Sequence, residues 1–243
     1  MSKVIEVKKL TKVFKKNITA VDGISFDVLE HEIFGLLGSN GSGKSTTLRM
    51  LATVLEPTSG QIIYRDADHD YSVIRNLIGY IPQQDLLYDD LSVIDNLRLF
   101  SYSYSIYESD RNKRISELLS KLELRKYRKY PVASLSGGYK KRLSIAIALI
   151  HEPKILIADE ITIGLDPDLR RKIWDLLIEL KQDTSIIFTT HYLEEAEKLC
   201  DRVTLMDLGK MVVYGEPKQI IKDNNCHNLE EVFYKLVTNK NKR

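Results

Sequence analysis

A glycine-rich run between a predicted strand and a predicted helix carries the strongest chemical signal in the chain. Residues 38–45 (GSNGSGKS) match G-x-x-x-x-G-K-[ST] at every fixed position. Glycines let backbone N–H groups curl around phosphate oxygens, the helix N-terminus adds positive potential, and Lys44 supplies a long point charge. The hydroxyl of Ser45 or Thr46 can ligate Mg²⁺. A glycine-rich turn with a solvated lysine is the alternative, and the strand–loop–helix context disfavours it.

Two adjacent carboxylates follow an apolar run in the second half of the chain. Residues 154–158 (KILIA) have the composition of a buried strand and lead directly into Asp159 and Glu160. A phosphate-binding loop needs such a partner, because an aspartate at a strand end holds Mg²⁺ and a neighbouring acid can activate water. Read alone, Asp159 would cap a helix and Glu160 would face solvent. The loop at 38–45 favours the catalytic interpretation.

Two further polar residues close predicted strands. His191 follows the run 186–190 (IIFTT), and Gln83 follows Tyr80-Ile81-Pro82. Because α/β sheets bind ligands at the carboxyl ends of their strands, both positions are candidates for the same site. A single histidine is more often structural, and Gln83 by itself would be an ordinary loop residue.

A second glycine pair precedes a predicted helix at residues 135–138 (LSGG). A hydroxyl and two glycines before a helix form another anion-binding geometry, although such a loop alone is usually only a helix cap. Taken with residues 38–45, Asp159, Glu160 and His191, in this order along the chain, it makes the sequence resemble the ATP-binding cassette (ABC) family. The resemblance is to ATP-binding subunits of the drug- and polysaccharide-export type.

The resemblance extends over most of the chain, from about residue 3 to residue 237, and it implies roles for particular side chains. Glu160, His191 and Gln83 would act in ATP hydrolysis, and Ser45, Gln83 and Asp159 would bind Mg²⁺. Phe14 would stack on the adenine, whereas hydropathy alone assigns it to the core. The residues that would bind the phosphates of ATP are Gly38, Ser39, Asn40, Gly41, Ser42, Gly43, Lys44, Ser45 and Thr46.

The same resemblance implies a pair of chains. Ser136, Gly137 and Gly138, together with Asp166 in Gly164-Leu165-Asp166-Pro167, would contact ATP held by a second subunit. In this family the two phosphate-contacting loops of one chain are too far apart to share a nucleotide. A two-fold, head-to-tail homodimer solves that problem. ATP would close the pair and hydrolysis would open it.

Two residues depart from the pattern of the family. The position after Gly138 usually holds Gln and here holds Tyr139, and the position after Glu160 usually holds Pro and here holds Ile161. We expect contact with ATP to be retained through the serine and the glycines, with affinity or coupling altered by Tyr139. We expect the loss of a rigid φ at Ile161 to loosen the strand exit modestly.

Hydropathy patterns predict the elements that position these residues. Between residues 86 and 151 the period is helical, with a capping box at Ser92 and Asp95 and a helix cap at Asp110. The first 85 residues otherwise predict strands and one helix, which follows the loop at 38–45. Further helices are predicted at 168–181 and 229–237. The strands are predicted at 4–7, 24–28, 33–37, 61–64, 78–81, 155–158, 185–188, 203–206 and 211–214. The last two flank a turn at Gly209, which predicts a hairpin.

The order of these elements predicts an α/β core interrupted by a helical insertion. With the resemblance to the ABC family, it implies a P-loop NTPase core with a mixed or parallel sheet, an N-terminal antiparallel β part and an inserted α-helical subdomain. Residues 1–85 and 152–220 would form the core, residues 86–151 the helical subdomain that carries residues 135–138, and residues 221–243 a C-terminal helical tail.

Composition limits the classes of protein. Of the 243 residues, 43% are hydrophobic and 29% charged, which excludes disordered and collagen-like chains. The formal net charge is +2, so there is no overall basic field and no nucleic-acid partner is expected. Two cysteines are too few for a disulfide framework. The longest apolar stretch, residues 145–150, is far shorter than the ~18 residues of a spanning helix, and no signal peptide is visible.

The resemblance to the ABC family implies that the chain is the ATP-hydrolysing subunit of an ABC transporter. It would be cytoplasmic, peripheral at the inner face of the cell membrane, and would drive transport, with export favoured, through a separate permease docked near Gln83 to Phe100. A non-transport ABC ATPase of DNA repair or translation is the alternative, but that class carries a long coiled-coil insertion or a second cassette. A soluble P-loop kinase would not explain residues 135–138. A nucleotide-binding scaffold would lack Lys44, Asp159 or Glu160.

Overall fold

A computed structural model describes residues 2–65, 67, 70–84, 86–104 and 106–238. In chain order the strands are β1 (Lys3–Phe14), β2 (Ile18–Leu29), β3 (Ile33–Gly38), β4 (Ser59–Tyr64), β5 (Ile78–Ile81), β6 (Ile155–Asp159), β7 (Ser185–Thr190), β8 (Arg202–Asp207) and β9 (Lys210–Gly215). The helices are α1 (Lys44–Leu51), α2 (Tyr71–Leu77), α3 (Val93–Ser103), α4 (Glu108–Lys121), α5 (Gly137–Ala148), α6 (Pro167–Leu180), α7 (Leu193–Leu199), α8 (Pro217–Asp223) and α9 (Leu229–Phe233), which a π-helical turn (Tyr234–Thr238) follows.

The larger sheet has six strands in the order β5-β6-β7-β3-β8-β9. Its first five strands are parallel, and β9 pairs antiparallel with β8 in the predicted hairpin. Because parallel strands end at one edge, Gly38, Asp159 and Thr190 come to the same side of the sheet, where α/β proteins bind ligands. The smaller sheet is antiparallel, in the order β2-β1-β4. The predicted α/β fold with an antiparallel N-terminal part is confirmed.

The central strand β3 is buried on both faces. Phe34 and Leu36 face a core formed with the three-stranded sheet and α1, whereas Ile33 and Leu37 face a core formed with the helices on the other side. A strand covered on both faces gives a continuous apolar run, which is why residues 33–37 were recognisable in the sequence. By contrast, β1 and β2 extend beyond their predicted bounds, because bulges between Val7 and Leu10 interrupt the alternation.

A partly buried ion-pair network links the two sheets at the end opposite to Gly38. Arg202, the first residue of β8, donates from Nε and Nη2 to the carboxylate of Glu32 at 2.8 and 2.7 Å. Its Nη1 also donates to Asp27 of β2 at 3.2 Å. The bidentate guanidinium–carboxylate pair is a strong, directional contact that holds Arg202 in place, and its hydrogen bonds to Asp27 tie β2 of the small sheet to β8 of the large one.

Helices α3, α4 and α5 fill the interval between β5 and β6. The predicted cap of α3 is confirmed, since Ser92 Oγ accepts a hydrogen bond from the backbone N–H of Asp95 at 3.2 Å. The predicted cap at Asp110 is wrong: α4 begins at Glu108, and Asp110 lies in its first turn, where its charge still complements the helix dipole. None of the helices in the described ranges combines the length and apolarity that crossing a bilayer requires.

The prediction of one helix in the first 85 residues is also wrong. Helix α2 has seven residues, too few for a 3.6-residue period to stand out in the sequence. The division into a core, a helical subdomain at 86–151 and a tail stays a prediction. Of the proposed tail, residues 239–243 lie outside the described residues.

His151 packs between Tyr104, which follows α3, and Ile78 of β5 in the large sheet. Its Nε2 lies 3.0 Å from the carbonyl oxygen of Ile78, and its ring stacks on Tyr104 with centroids 3.8 Å apart. Burial lowers the pKa of His151 to about 4, and the nearby Arg114 guanidinium acts in the same direction. The folded protein therefore holds this imidazole neutral.

We expect the free energy of unfolding to fall as the pH is lowered from 7 to 5. The unfolded chain protonates His151 near pH 6.5, whereas the folded chain resists protonation until about pH 4. This difference costs on the order of 1–2 kcal/mol at pH 5. Urea unfolding at several pH values would measure it. His151→Phe keeps the stacked ring and should lose this component, while His227→Gln, at an exposed position, should keep it. An unchanged pH slope in His151→Phe would refute the assignment.

Candidate functional site

The glycine-rich loop joins the buried strand β3 to the N-terminus of α1. Gly43 adopts φ +106°, and a Cβ at this position would lie 2.4 Å from the carbonyl oxygen of Ala20. Both the conformation and the space therefore require glycine. The first turn of α1 begins at Lys44, so its N–H groups and the helix dipole make this end of the helix attractive to anions.

Lys44 lies within the loop and is only 4% exposed. Its Nζ donates to the carbonyl oxygens of Gly38 and Ser39, both at 2.9 Å. Burial lowers the pKa of the ammonium group, and the carboxylates of Glu160 and Asp159 act in the opposite direction. The loop thus holds a cation against neutral carbonyls, which phosphate oxygens can replace as stronger partners.

The carboxylate of Asp159 is buried and accepts two hydroxyl hydrogen bonds. Ser45 Oγ donates to Asp159 Oδ1 at 3.0 Å, and Thr189 Oγ1 donates to the same oxygen at 2.6 Å. The hydroxyl of Thr189 in turn accepts the backbone N–H of Glu160 at 2.9 Å. The structure therefore brings the predicted Ser45 and Asp159 together and adds Thr189, which joins the ends of β6 and β7.

Glu160 lies between the other two predicted catalytic side chains. Its Oε2 accepts a hydrogen bond from Gln83 Nε2 at 2.7 Å, and its Oε1 lies 3.6 Å from His191 Nδ1. The backbone of Glu160 has φ +51°, which is uncommon for a residue with a side chain and is characteristic of functional turns. This conformation places the carboxylate at the strand exit, where only 7% of the residue is exposed.

Lys44, Ser45, Gln83, Glu160 and His191 line one cavity of about 580 Å³. Phe14 forms part of its wall and is 41% exposed, so the assignment of Phe14 to the core from hydropathy is wrong. Ile18 and Ile163 also line it, which the sequence did not indicate. The predicted residues that line the cavity are Phe14, Asn40, Gly41, Gly43, Lys44, Ser45, Thr46, Gln83, Glu160 and His191.

The glycine pair at 137–138 lies elsewhere. Ser136, Gly137 and Gly138 form the start of α5 and are not among the residues lining this cavity. A Cβ at Gly138 would lie 2.0 Å from Leu169 Cδ2, so a larger residue at this position would displace the Leu169 side chain of α6. The side chain of Asp166 caps α6 by accepting the N–H of Leu169 at 3.0 Å. The residues predicted to contact a partner's nucleotide, 136–138 and Asp166, therefore lie near one another and are not among the residues that line the cavity.

The two departures from the family pattern have defined surroundings. The Tyr139 ring lies 4.2 Å from that of Tyr127, and the Arg142 guanidinium lies 5.6 Å from the Tyr139 centroid. Ile161 is fully buried in the core next to the helices. Its apolar side chain therefore adds packing at the strand exit, where proline would restrict the backbone.

Sequence reasoning missed two buried polar residues near the site. Thr189 is fully buried, and its only signal was a hydroxyl residue inside an apolar strand. Glu195, 1% exposed, accepts hydrogen bonds from Thr162 at 3.0 Å and from Trp174 Nε1 at 2.6 Å. It secures the turn after Glu160, but nothing in the sequence distinguishes it from its exposed neighbour Glu194.

The oxygen atoms of Ser45 and Asp159 suit a hard divalent cation. Mg²⁺ is commonly held by one or two carboxylate or hydroxyl ligands, with phosphate and water oxygens supplying the rest. In the described part of the chain there is no cluster of three or more His, Cys, Asp or Glu that could hold a metal without such help. The donor set therefore fits a cation that arrives with a phosphate ligand.

Comparison with known proteins gives matches along most of the chain. The model of the ABC transporter family matches residues 21–163. The chain is 37% identical over 233 residues to the Nod factor export ATP-binding protein I of Ralstonia nicotianae, covering 95% of this chain and 72% of that protein. It is 37% identical over 243 residues to the Probable multidrug ABC transporter ATP-binding protein YbhF of Escherichia coli, covering 96% of this chain and 42% of that protein.

Solved structures share the fold. CbiO1 from Clostridium perfringens, part of the ABC transporter complex cbiONQ, has a TM-score of 0.81 and 30% identity, with 92% of each chain covered. The ATP-binding cassette MJ0796, solved as a dimer in a post-hydrolysis state bound to ADP and Pi, has a TM-score of 0.78 and 28% identity. That match covers 87% of this chain and 98% of the other.

We expect Thr189→Val to impair hydrolysis of ATP while Thr189→Ser leaves it nearly unchanged. Valine removes the hydroxyl that serves Asp159 and the N–H of Glu160, whereas serine retains it. Loss of such a supporting hydrogen bond typically costs about 10–100-fold in activity, and the buried groups left unpaired cost about 1–3 kcal/mol of stability. Phosphate release and urea unfolding measure the two effects. Equal activity in both variants would contradict the role of the hydroxyl.

Proposed function

Because the chain belongs to the ABC transporter family and acts as a transport-coupled ATPase, we propose that it binds ATP with Mg²⁺ in the cavity between Phe14 and His191. Hydrolysis there would power export through a separate membrane permease. The observation that carries the proposal is that Lys44 and Glu160 line that one cavity, while Asp159 lies directly behind its wall, hydrogen-bonded to the lining residue Ser45. A phosphate-binding cation, a metal-binding carboxylate and a general base are the groups that ATP hydrolysis needs.

The nucleotide is oriented by the two ends of the cavity. The exposed ring of Phe14 stacks on the adenine, and the loop at 38–46 binds the phosphates through its backbone N–H groups. Lys44 exchanges its contacts with the carbonyls of Gly38 and Ser39 for phosphate oxygens. Ser45, Gln83 and Asp159 would hold Mg²⁺, which would supply positive charge against the phosphates.

Glu160 serves as the general base. Its carboxylate takes a proton from the water that attacks the γ-phosphorus, while the bond from that phosphorus to the bridging oxygen breaks. Gln83 holds one carboxylate oxygen by a hydrogen bond, and His191 lies beside the other. These neighbours orient Glu160, and His191 is well placed to donate a hydrogen bond to the γ-phosphate at the cavity rim.

A second copy of the chain completes the site. Ser136, Gly137, Gly138 and Asp166 lie outside the cavity, so a partner related by a two-fold axis supplies them to the nucleotide. The dimeric state of MJ0796 with ADP and Pi supports this arrangement. ATP then stabilises the closed pair, and hydrolysis weakens it, which gives the mechanical cycle its two states.

The pair works on a permease at the inner face of the membrane. Export is supported by the names of two relatives, a Nod factor exporter and a multidrug transporter protein, and a separate permease by the membership of CbiO1 in a transporter complex. The docking surface is the segment from Gln83 to Phe100. A non-transport ATPase of DNA repair or translation is not favoured, because the relatives are components of transporters.

We expect Glu160→Gln to abolish ATP hydrolysis while ATP binding persists. Glutamine retains the shape and the neighbours of Glu160 but cannot accept the proton. The variant should accumulate as an ATP-bound dimer, seen as a shift in light scattering on addition of Mg-ATP. Lys44→Ala serves as the control, since it should bind no ATP and stay monomeric. Hydrolysis by Glu160→Gln at a rate near wild type would exclude Glu160 as the base.

We expect the tagged chain to capture a membrane protein from detergent-solubilised membranes of its own cell. That protein should carry several apolar segments of about 20 residues, the length that spans a bilayer. Mass spectrometry of the eluate identifies it, and an untagged chain gives the background. Recovery of an active ATPase without any membrane protein would favour the non-transport alternative.

A further inference from the structure

The connection between α4 and the loop before α5 is strongly basic. In residues 125–130 (RKYRKY), here called the basic segment, four of six side chains are cationic and none is acidic. The whole chain has a formal net charge of only +2, so this local density is not a reflection of overall composition. Two tyrosines are interleaved with the cations.

The charges of the basic segment are exposed and lack acidic partners. Arg125, Lys126, Arg128 and Lys129 are all exposed, and none forms an ion pair with a described residue. The flanking acids are engaged elsewhere: Glu123 pairs with Arg142, and Asp89 pairs with Lys140 at 2.8 Å. Asp90, on the adjoining loop, contributes one negative charge, so the four positive charges of the basic segment exceed it.

The backbone of the basic segment is held in place. The N–H groups of Val93 and Ile94, at the start of α3, donate to the carbonyl oxygens of Tyr130 and Arg128 at 3.1 and 2.9 Å. The Tyr127 ring packs between Tyr139 and Tyr130, with centroid distances of 4.2 and 5.7 Å. Tyr130 remains 53% exposed. The cations are therefore presented on a fixed turn, and little backbone order has to be gained on binding.

We propose that the basic segment binds the anionic lipid headgroups of the membrane on which the transporter works. Clustered Lys and Arg side chains are attracted to the negative cytoplasmic leaflet, and tyrosine rings favour the headgroup region. The hydrogen bonds to Val93 and Ile94 join the segment to the Gln83–Phe100 surface proposed for the permease, so a bilayer that holds the permease would lie beside the segment. The inference rests on the proposed function, because the position of the bilayer follows from the docking of the permease.

A planar layer of phosphate headgroups fits this segment better than one acidic protein patch. Four cations and an exposed tyrosine on a single turn can all meet a continuous anionic surface at once. Binding to lipid would also raise the local concentration of the chain at its permease without adding contacts between the two proteins.

The test is co-sedimentation of the full-length chain with vesicles. One set contains phosphatidylcholine alone, and the other an equal mixture of phosphatidylcholine and phosphatidylglycerol. We expect binding to the mixed vesicles only, and we expect added salt to weaken it, because salt screens exposed charges. Equal binding to both sets, or no binding to the mixed set, would overturn the proposal.

Matched charge-removing variants locate the surface. Lys126→Gln with Lys129→Gln should weaken binding to the mixed vesicles about 30-fold, since each cation near an anionic surface contributes a factor of about five. Lys218→Gln with Lys222→Gln, which removes two exposed cations from α8, should bind as wild type does. Equal losses in both double variants would show only a general charge effect and would refute the assignment.

Two further readouts separate this inference from the proposed function. ATP hydrolysis in solution should be the same in both double variants and in wild type, because the basic segment lies outside the cavity. Capture of a permease by the wild-type chain tests the transporter assignment independently. Suppose that the wild-type chain does not bind the mixed vesicles and that, of the two double variants, only Lys126→Gln with Lys129→Gln fails to capture the permease. The segment then contacts an acidic surface of the permease, and the lipid proposal is wrong.

Discussion

A chain of hydrogen bonds through Thr189 is the constraint on which the site depends. The hydroxyl of Thr189 donates to the buried Asp159 carboxylate at 2.6 Å and accepts the backbone N–H of Glu160 at 2.9 Å, while Ser45 donates to the same carboxylate. A buried carboxylate without donors is costly, so the ends of β6 and β7 and the start of α1 cannot shift independently. The distance between the phosphate loop and the base is thereby set by the sheet.

The residues proposed to contact a partner's nucleotide lie apart from the cavity. Ser136, Gly137 and Gly138 form the start of α5, and Asp166 caps α6. The side chain of Leu169, in the first turn of α6, lies against Gly138, so the two proposed motifs are neighbours in space. Under the proposed function, both would meet the nucleotide of a second subunit on one surface of the chain.

Prediction from the sequence succeeded where a local pattern reflects a local cause. The buried strands β3 and β5, the cap at Ser92 and the hairpin at Gly209 each follow from a short run of residues. Prediction failed where contacts with the rest of the fold determine the start of a helix or the exposure of a side chain. Asp110 is a good capping residue, but α4 begins two residues earlier, and Phe14 is apolar yet lines an open cavity because β1 ends there. Helix α2 is too short to show a period.

The amino-acid sequence by itself determined the fold class, the family and the chemical groups, because glycines, Lys44 and strand-terminal acids at these spacings have few other uses. Only the tertiary structure decided which groups meet. Gln83, Glu160 and His191 are far apart in the chain, and their contact depends on the strand order β5-β6-β7-β3, which no local pattern specifies. The role of Thr189 depends on tertiary structure in the same way, because its hydroxyl bonds to Asp159 and Glu160 only when β7 lies beside β6.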